Sequence, residues 1–88
     1  MRYWYKIADE IALHSEEEED RYYTMDEVRT IRLYTEGEIR KGDPELYWPV
    51  HDPCGWSWEP GEYGSMDDAY DDLCRSLNMG IYERLHDI

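Results

Sequence analysis

The chain has 88 residues, enough for one domain built around a single modest core. Its formal charge is -13, from 22 acidic and 9 basic residues, which is well beyond the magnitude of about 2–8 that solubility asks of a small domain. The content of 41% hydrophobic and 15% aromatic residues argues against a largely disordered chain, and the charge argues against direct binding to nucleic acid.

No targeting or membrane segment is recognisable in the sequence. The first residues lack the apolar run of a signal peptide, and nowhere do about 18 uncharged residues follow one another. Two cysteines, Cys54 and Cys74, are too few for a small disulfide-stabilised secreted scaffold, so we interpret them as reduced thiols. These features predict a soluble, cytoplasmic protein that does not interact with membranes.

The amino-terminal part of the chain predicts a strand followed by an acidic loop. Side chains alternate in character over residues 2–8, which is typical of a strand, and residues 9–13 extend it or begin a turn. Five consecutive acids without apolar periodicity come next: Glu16, Glu17, Glu18, Glu19 and Asp20. Such a run is typical of a mobile, solvated loop.

Residues 21–35 carry signals for both a helix and a strand. Thr24 and Glu27 have the spacing of a capping box, Met25, Val28 and Ile31 recur every three residues, and Gly37 is placed to end a helix. The β-branched residues between Val28 and Thr35 favour a strand instead. We predict a helix over residues 25–36.

The basic residues of this region form a cluster, which has two explanations. Either they form a basic patch that holds the acidic loop by charge attraction, or they make ordinary surface ion pairs worth about 0–1 kcal/mol each. We favour surface pairs for these residues: Arg29, Arg32, Arg40 and Lys41.

Residues 42–64 hold all four prolines and three of the four tryptophans. The pattern predicts a turn-rich segment with two short strands, over residues 45–50 and 55–59. Trp56 and Trp58 would lie on one face of the second strand. They pack in the core against the following helix, or they form an exposed aromatic binding face.

The clearest helix is predicted over residues 65–77, with Ser65 as its N-cap. Its apolar stripe consists of Met66, Ala69, Tyr70, Leu73 and Leu77. Burial of this stripe leaves four acids on the flank and outer face, and two pairs of them lie four residues apart, where like charges destabilise a helix by about 0.2–0.5 kcal/mol per pair. The acids are Asp67, Asp68, Asp71 and Asp72.

The residues after this helix predict where it ends, and the order of the predicted elements indicates the fold class. Asn78 and Gly80 supply a stop signal, and residues 81–88 form a short final strand or a helical turn. The order strand, helix, strand, strand, helix, tail predicts a small α+β fold comprising residues 1–88 as one domain. Its short antiparallel sheet would be packed by two helices on one side.

Metal binding and catalysis have little support in the sequence. His51 and Cys54 have a plausible ligand spacing that Cys74 and His86 could complete, but convincing zinc sites show two paired motifs. The acids lack the alternation and central glycine of a calcium loop, and no catalytic motif is present. We predict no cofactor, no metal and no enzymatic activity.

The acids of the predicted helix suggest mimicry of nucleic acid. Helix residues four apart lie about 6 Å apart, close to the roughly 6–7 Å between successive phosphates of a DNA strand. The pairs Asp67/Asp71 and Asp68/Asp72 would present charge at this spacing, and the acidic loop would extend it. Such a surface could occupy a Lys/Arg channel built for nucleic acid.

In size, acidity and lack of a catalytic motif, the chain resembles the small phage-encoded inhibitors of bacterial defence nucleases, namely the DNA-mimic restriction inhibitors and the anti-CRISPR proteins. This resemblance implies a phage or mobile-element origin and a CRISPR effector or other nuclease as partner. The alternative is an acidic interaction module that uses a Trp-rich face over residues 46–58, with the acids serving solubility. A homodimer is one option in either case, since a two-fold axis could align two acidic helices.

Overall fold

The computed structural model describes residues 1–15, 22–55 and 59–86. Within these ranges the chain forms a three-stranded antiparallel sheet, four α-helices and one 3-10 turn. The strands are β1 (Tyr3–Lys6), β2 (Leu33–Thr35) and β3 (Tyr47–Pro49), and the 3-10 turn is Pro44–Leu46. The helices are α1 (Ile7–Ser15), α2 (Met25–Val28), α3 (Glu36–Arg40) and α4 (Met66–His86). The predicted α+β class is confirmed, with four helices in place of two.

Strand β1 is the centre of the sheet, in the order β2-β1-β3. Tyr5 lies opposite Leu33 of β2 and Trp48 of β3, so these three side chains share one face. Tyr3 and Tyr5 are buried on that face. Because alternate side chains point to opposite faces, Trp4 and Lys6 belong to the outer face of the sheet.

The N-terminal strand is shorter than predicted, because α1 begins at Ile7. Residues 9–13 are helical and neither extend the strand nor form a turn. Asp9 and Glu10 lie in the first turn of α1, where carboxylates interact favourably with the unpaired amides of the helix start. This pair of acids was a helix signal that the strand prediction overlooked.

The helix predicted over residues 25–36 is wrong beyond its first turn. The Thr24–Glu27 capping box is present, with the Glu27 amide donating to Thr24 Oγ1 at 3.3 Å, but α2 ends at Val28. Ile31 and Leu33 are buried on either side of an exposed Arg32, which is the alternation of a strand. The β-branched content therefore predominated, and Gly37 lies inside α3.

The main core lies between the sheet and α4. Four of the five predicted stripe residues are buried there, and Met66 is 45% exposed. Ile81 continues the stripe, so α4 does not stop at Asn78 but runs on to His86, over about 31 Å.

The predicted stop signal fails because both residues fit inside a helix. The Asn78 carboxamide accepts from the Tyr23 amide at 2.8 Å and donates to the Tyr23 carbonyl at 3.2 Å, so its polar group is satisfied. Gly80 has no positive φ and therefore does not form a left-handed cap. The strand or turn predicted for residues 81–88 is helical through His86.

The turn-rich segment contributes one strand, β3, inside the predicted range 45–50. For the strand predicted over residues 55–59, Gly55 and Glu59 are not in a strand, and Trp56 and Trp58 lie outside the described residues. The segment is held to the N-terminus, because Met1 and Tyr63 exchange backbone hydrogen bonds at 2.7 and 2.9 Å.

Candidate interaction surface on the long helix

The first two turns of α4 carry three of the four predicted aspartates outward from the core and the fourth, Asp72, on its flank. Ser65 caps this end, and its Oγ accepts a hydrogen bond from the Asp68 amide at 3.3 Å. Asp67, Asp68 and Asp71 are exposed, and Asp72 is half-buried. The burial of Ala69, Tyr70 and Leu73 fixes this orientation, since these residues occupy the opposite side of the same turns.

Two of the four aspartates already have cationic partners. Asp67 pairs with Arg29 at 3.1 Å, and Asp72 lies 3.7 Å from Arg75 on the next turn. Asp72 also lies near the buried hydroxyl of Tyr63; burial and this carboxylate together raise the pKa of Tyr63. Asp67 is therefore partly neutralised by a surface ion pair, and Asp72 lies at the edge of the core.

Asp68 and Asp71 differ from their neighbours. Neither makes an ion pair with any residue that the structure describes, and both are exposed. They lie three residues apart, hence about 5–6 Å from each other along the outer surface of α4. The predicted strip of four equivalent charges is thus a pair of open carboxylates flanked by two that are partly neutralised.

The second predicted contact element is the acidic run of residues 16–20. Glu16, Glu17, Glu18, Glu19 and Asp20 all lie outside the described residues. Its role as a partner contact stays a prediction.

Three of the four clustered basic residues form surface ion pairs, whereas no ion pair of Lys41 is seen among the described residues and the acidic run that the cluster could hold lies outside them. Arg29 reaches Asp67, Arg32 pairs with Glu38 at 3.2 Å, and Arg40 pairs with Glu36 at 2.7 Å. The hydrogen bond from the Thr35 amide to Glu38 at 3.1 Å, with Arg32 adding a smaller effect, lowers the pKa of Glu38.

Next to the open aspartates, α4 borders an open groove with a volume of about 560 Å³. Its lining is mainly apolar and includes Met25 of α2, Pro53, and Met79 and Tyr82 of α4. Sequence reasoning missed this groove because it ended the helix too early. The spacing of Leu73, Leu77 and Ile81 by four residues was a signal that could have revealed the longer helix.

The thiols and histidines form no metal site among the described residues, where no three His, Cys, Asp or Glu side chains are arranged to hold an ion. Cys54 and Cys74 both border the groove as free thiols. Burial, and to a lesser extent Asp71, raises the pKa of Cys74. His86 lies against Tyr82, with 4.1 Å between ring centroids.

A second, smaller cavity of about 310 Å³ lies between β1, β3 and α4. Tyr5, Trp48 and Glu10 are among its lining residues, and the rings of Tyr5 and Trp48 meet edge to face at 6.5 Å. Burial, helped by the Glu10 carboxylate, raises the pKa of Tyr5. A phenol that keeps its proton serves packing at neutral pH and provides no base.

In the part of the chain that is described, no helix combines the length and the apolar character needed to cross a membrane. Comparison of the chain with protein-family models, with curated proteins and with solved structures finds no match.

Proposed function

We propose that the protein is a non-enzymatic inhibitor that binds the basic, nucleic-acid-binding surface of a bacterial defence nuclease, such as a CRISPR effector. The observation that carries this proposal is the pair of exposed carboxylates, Asp68 and Asp71, that α4 presents without an ion-pair partner among the described residues. By occupying the Lys/Arg surface, the protein would exclude the nucleic acid that the nuclease must bind.

The geometry of α4 supports this mode of binding. A helix holds carboxylates three or four residues apart at about 5–6 Å, near the spacing of roughly 6–7 Å between phosphates of one DNA strand. The capped and core-anchored helix keeps its backbone fixed, so binding does not have to order the chain that carries the charges. Arginine side chains would then form charge-assisted hydrogen bonds to the carboxylates.

The charge of the whole chain supports fast association. A formal charge of -13 creates a negative field around the molecule, and such a field steers a basic partner into contact. In this proposal the protein acts in the cytoplasm of a bacterial host and is encoded by a phage or mobile element.

A second candidate is an interaction module whose acids serve solubility and whose apolar groups make the contacts. Exposed side chains within the Trp-rich residues 46–58 favour it, with Leu46 58% and Trp48 41% exposed. Binding through such groups gains little from long-range attraction and is therefore insensitive to salt.

The two candidates are distinguished by the salt dependence of inhibition. We would measure DNA cleavage by purified, guide-loaded CRISPR nucleases with increasing amounts of the protein, at about 0.1 M and 0.5 M salt, where the Debye length falls from about 10 Å to a few ångströms. Phosphate mimicry predicts inhibition that is strong at low salt and weak at high salt. Equal inhibition at both would favour the apolar contacts.

The aspartates themselves are tested with a double variant, Asp68→Asn with Asp71→Asn. Loss of two charge-assisted contacts should raise the half-inhibiting concentration at least tenfold, since each is worth about 1.5–3 kcal/mol. The control, Glu36→Gln with Glu45→Gln, removes the same charge from exposed positions at α3 and the 3-10 turn and should change inhibition little. Unchanged inhibition by a folded Asp68/Asp71 variant would refute the mimicry proposal.

A further inference from the structure

The groove beside α4 continues the acidic face in the direction of the C-terminus. Asp71 belongs to its lining together with Met25, Pro53, Cys74, Met79 and Tyr82. An open carboxylate and an apolar cleft therefore share one surface, on consecutive turns of one helix.

The groove is lined by large apolar side chains that are not buried in the core. Met79 is 40% and Tyr82 54% exposed, although the same turns bury Leu77 and Ile81 almost completely. Contiguous exposed apolar groups of this kind mark interaction sites on small proteins. Tyr82 is partly fixed in place by its ring contact with His86, which lowers the entropy lost when a partner packs on it.

The charge around the groove decides what kind of partner fits. Arg75 also lines the cleft, but it lies 3.7 Å from Asp72, whereas Asp71 has no ion-pair partner among the described residues. A second copy of this chain would bring another formal charge of -13 and a second set of aspartates to the same place. Repulsion disfavours that arrangement and favours a basic partner.

We infer that the groove accepts a large apolar side chain from a Lys/Arg-rich segment of the partner, whose flanking cations contact Asp68 and Asp71. This inference rests on the proposed function and specifies the chemistry of the partner. The apolar side chain would fill the cleft between Met25, Met79 and Tyr82, and the cations would bind one turn away. Hot spots of protein interfaces commonly combine a desolvated apolar anchor with surrounding charges in this way.

The test uses two synthetic peptides rich in lysine and arginine, identical except for one central residue, which is Trp in one and Ala in the other. Binding to the full chain is measured by isothermal titration calorimetry at low and high salt. We expect the Trp peptide to bind about tenfold more tightly, a ratio that corresponds to about 1.4 kcal/mol. This ratio should persist at high salt while both absolute affinities fall.

The groove is tested with the variant Met79→Ala/Tyr82→Ala, which should bind the two peptides equally. Both residues are exposed, so the fold is expected to remain, and circular dichroism checks this. The control Ile11→Ala/Leu46→Ala removes apolar groups that are 62% and 58% exposed away from the groove, and it should retain the preference for Trp.

Three outcomes would overturn the inference: equal binding of both peptides to the unaltered protein, a Trp preference that survives Met79→Ala/Tyr82→Ala, or a dimer that the same variant dissociates. Failure of the proposed function has a different signature, because Asp68→Asn/Asp71→Asn would then leave nuclease inhibition unchanged. A nuclease that is inhibited through the aspartates without any Trp preference would refute the groove alone.

Discussion

The outer face of the sheet and the outer face of α4 both carry charged and aromatic side chains, but they use them differently. On the sheet, the Tyr34 ring meets Tyr47 edge to face at 5.1 Å, while Arg32 and Lys6 lie 4.6 and 5.6 Å from its centre. Arg32 also pairs with Glu38. These groups satisfy one another within the chain.

The outer face of α4 leaves its groups available. Asp68 and Asp71 lack ion-pair partners among the described residues, and Met79, Tyr82 and Leu85 are about half exposed. Composition alone therefore does not mark an interaction surface. What marks it is whether the side chains have already found partners within the fold.

The sheet and α4 share one core, and ionisation of the tyrosines buried in it should have the largest effect on stability. Alkaline pH tests this. Burial raises the pKa of Tyr5 on β1, of Tyr63 and of Tyr70 on α4; nearby carboxylates add to the first two, and Arg29 opposes the third. Each phenol therefore binds its proton more tightly in the folded state. Its stabilising contribution is complete below the ordinary pKa of about 10 and falls by about 1.4 kcal/mol per pH unit above it.

We therefore expect the free energy of unfolding to fall by several kcal/mol between about pH 10 and pH 12. Urea titrations at each pH would measure the fall, with phenolate absorbance recorded in parallel. Tyr70→Phe should flatten the slope but also lower stability at neutral pH, because it leaves the Ile31 carbonyl without the 2.6 Å hydrogen bond from the Tyr70 hydroxyl. Ionisation of all nine phenols near pH 10 in the folded protein would contradict this account.

Truncation of one tyrosine on each outer face should give the next largest difference. Tyr34→Ala removes a half-buried ring with three neighbours and should cost about 1–3 kcal/mol of unfolding free energy. Tyr82→Ala removes a ring that is 54% exposed and should change stability by less than about 0.5 kcal/mol. Thermal and urea denaturation would compare the two variants. Equal losses of unfolding free energy would show that both rings contribute alike to the fold.

Single charges should give the smallest effect, with opposite signs on the two faces. Asp71→Asn relieves repulsion with Asp67 four residues earlier and should stabilise the protein by about 0.2–0.5 kcal/mol. Arg32→Gln removes an ion pair and a cation–π contact and should destabilise it by about 0.2–1 kcal/mol. Both effects on stability should be smaller at high salt, because salt screens the charges. Destabilisation by Asp71→Asn would indicate that this carboxylate has a structural role.

Local signals in the sequence are enough to specify several elements of the fold. Ser65 and the residues of the α4 stripe specify a capped helix over residues 65–77, since a cap and an apolar period of 3.6 act within a few residues. The alternation around Tyr3 and Tyr5 specifies β1 in the same way. The same local pattern placed the four aspartates on the flank and outer face of α4.

Other features depend on contacts between residues that lie far apart in the sequence, and these could not be predicted from local patterns. Asn78 stays inside α4 because its carboxamide bonds the backbone of Tyr23, and Ile31 leaves helical geometry where its carbonyl accepts from Tyr70. Arg29 reaches across to Asp67 and so leaves Asp68 and Asp71 as the open pair. These contacts join residues 38 to 55 positions apart, and their free energy exceeds the few tenths of a kcal/mol by which local propensities differ.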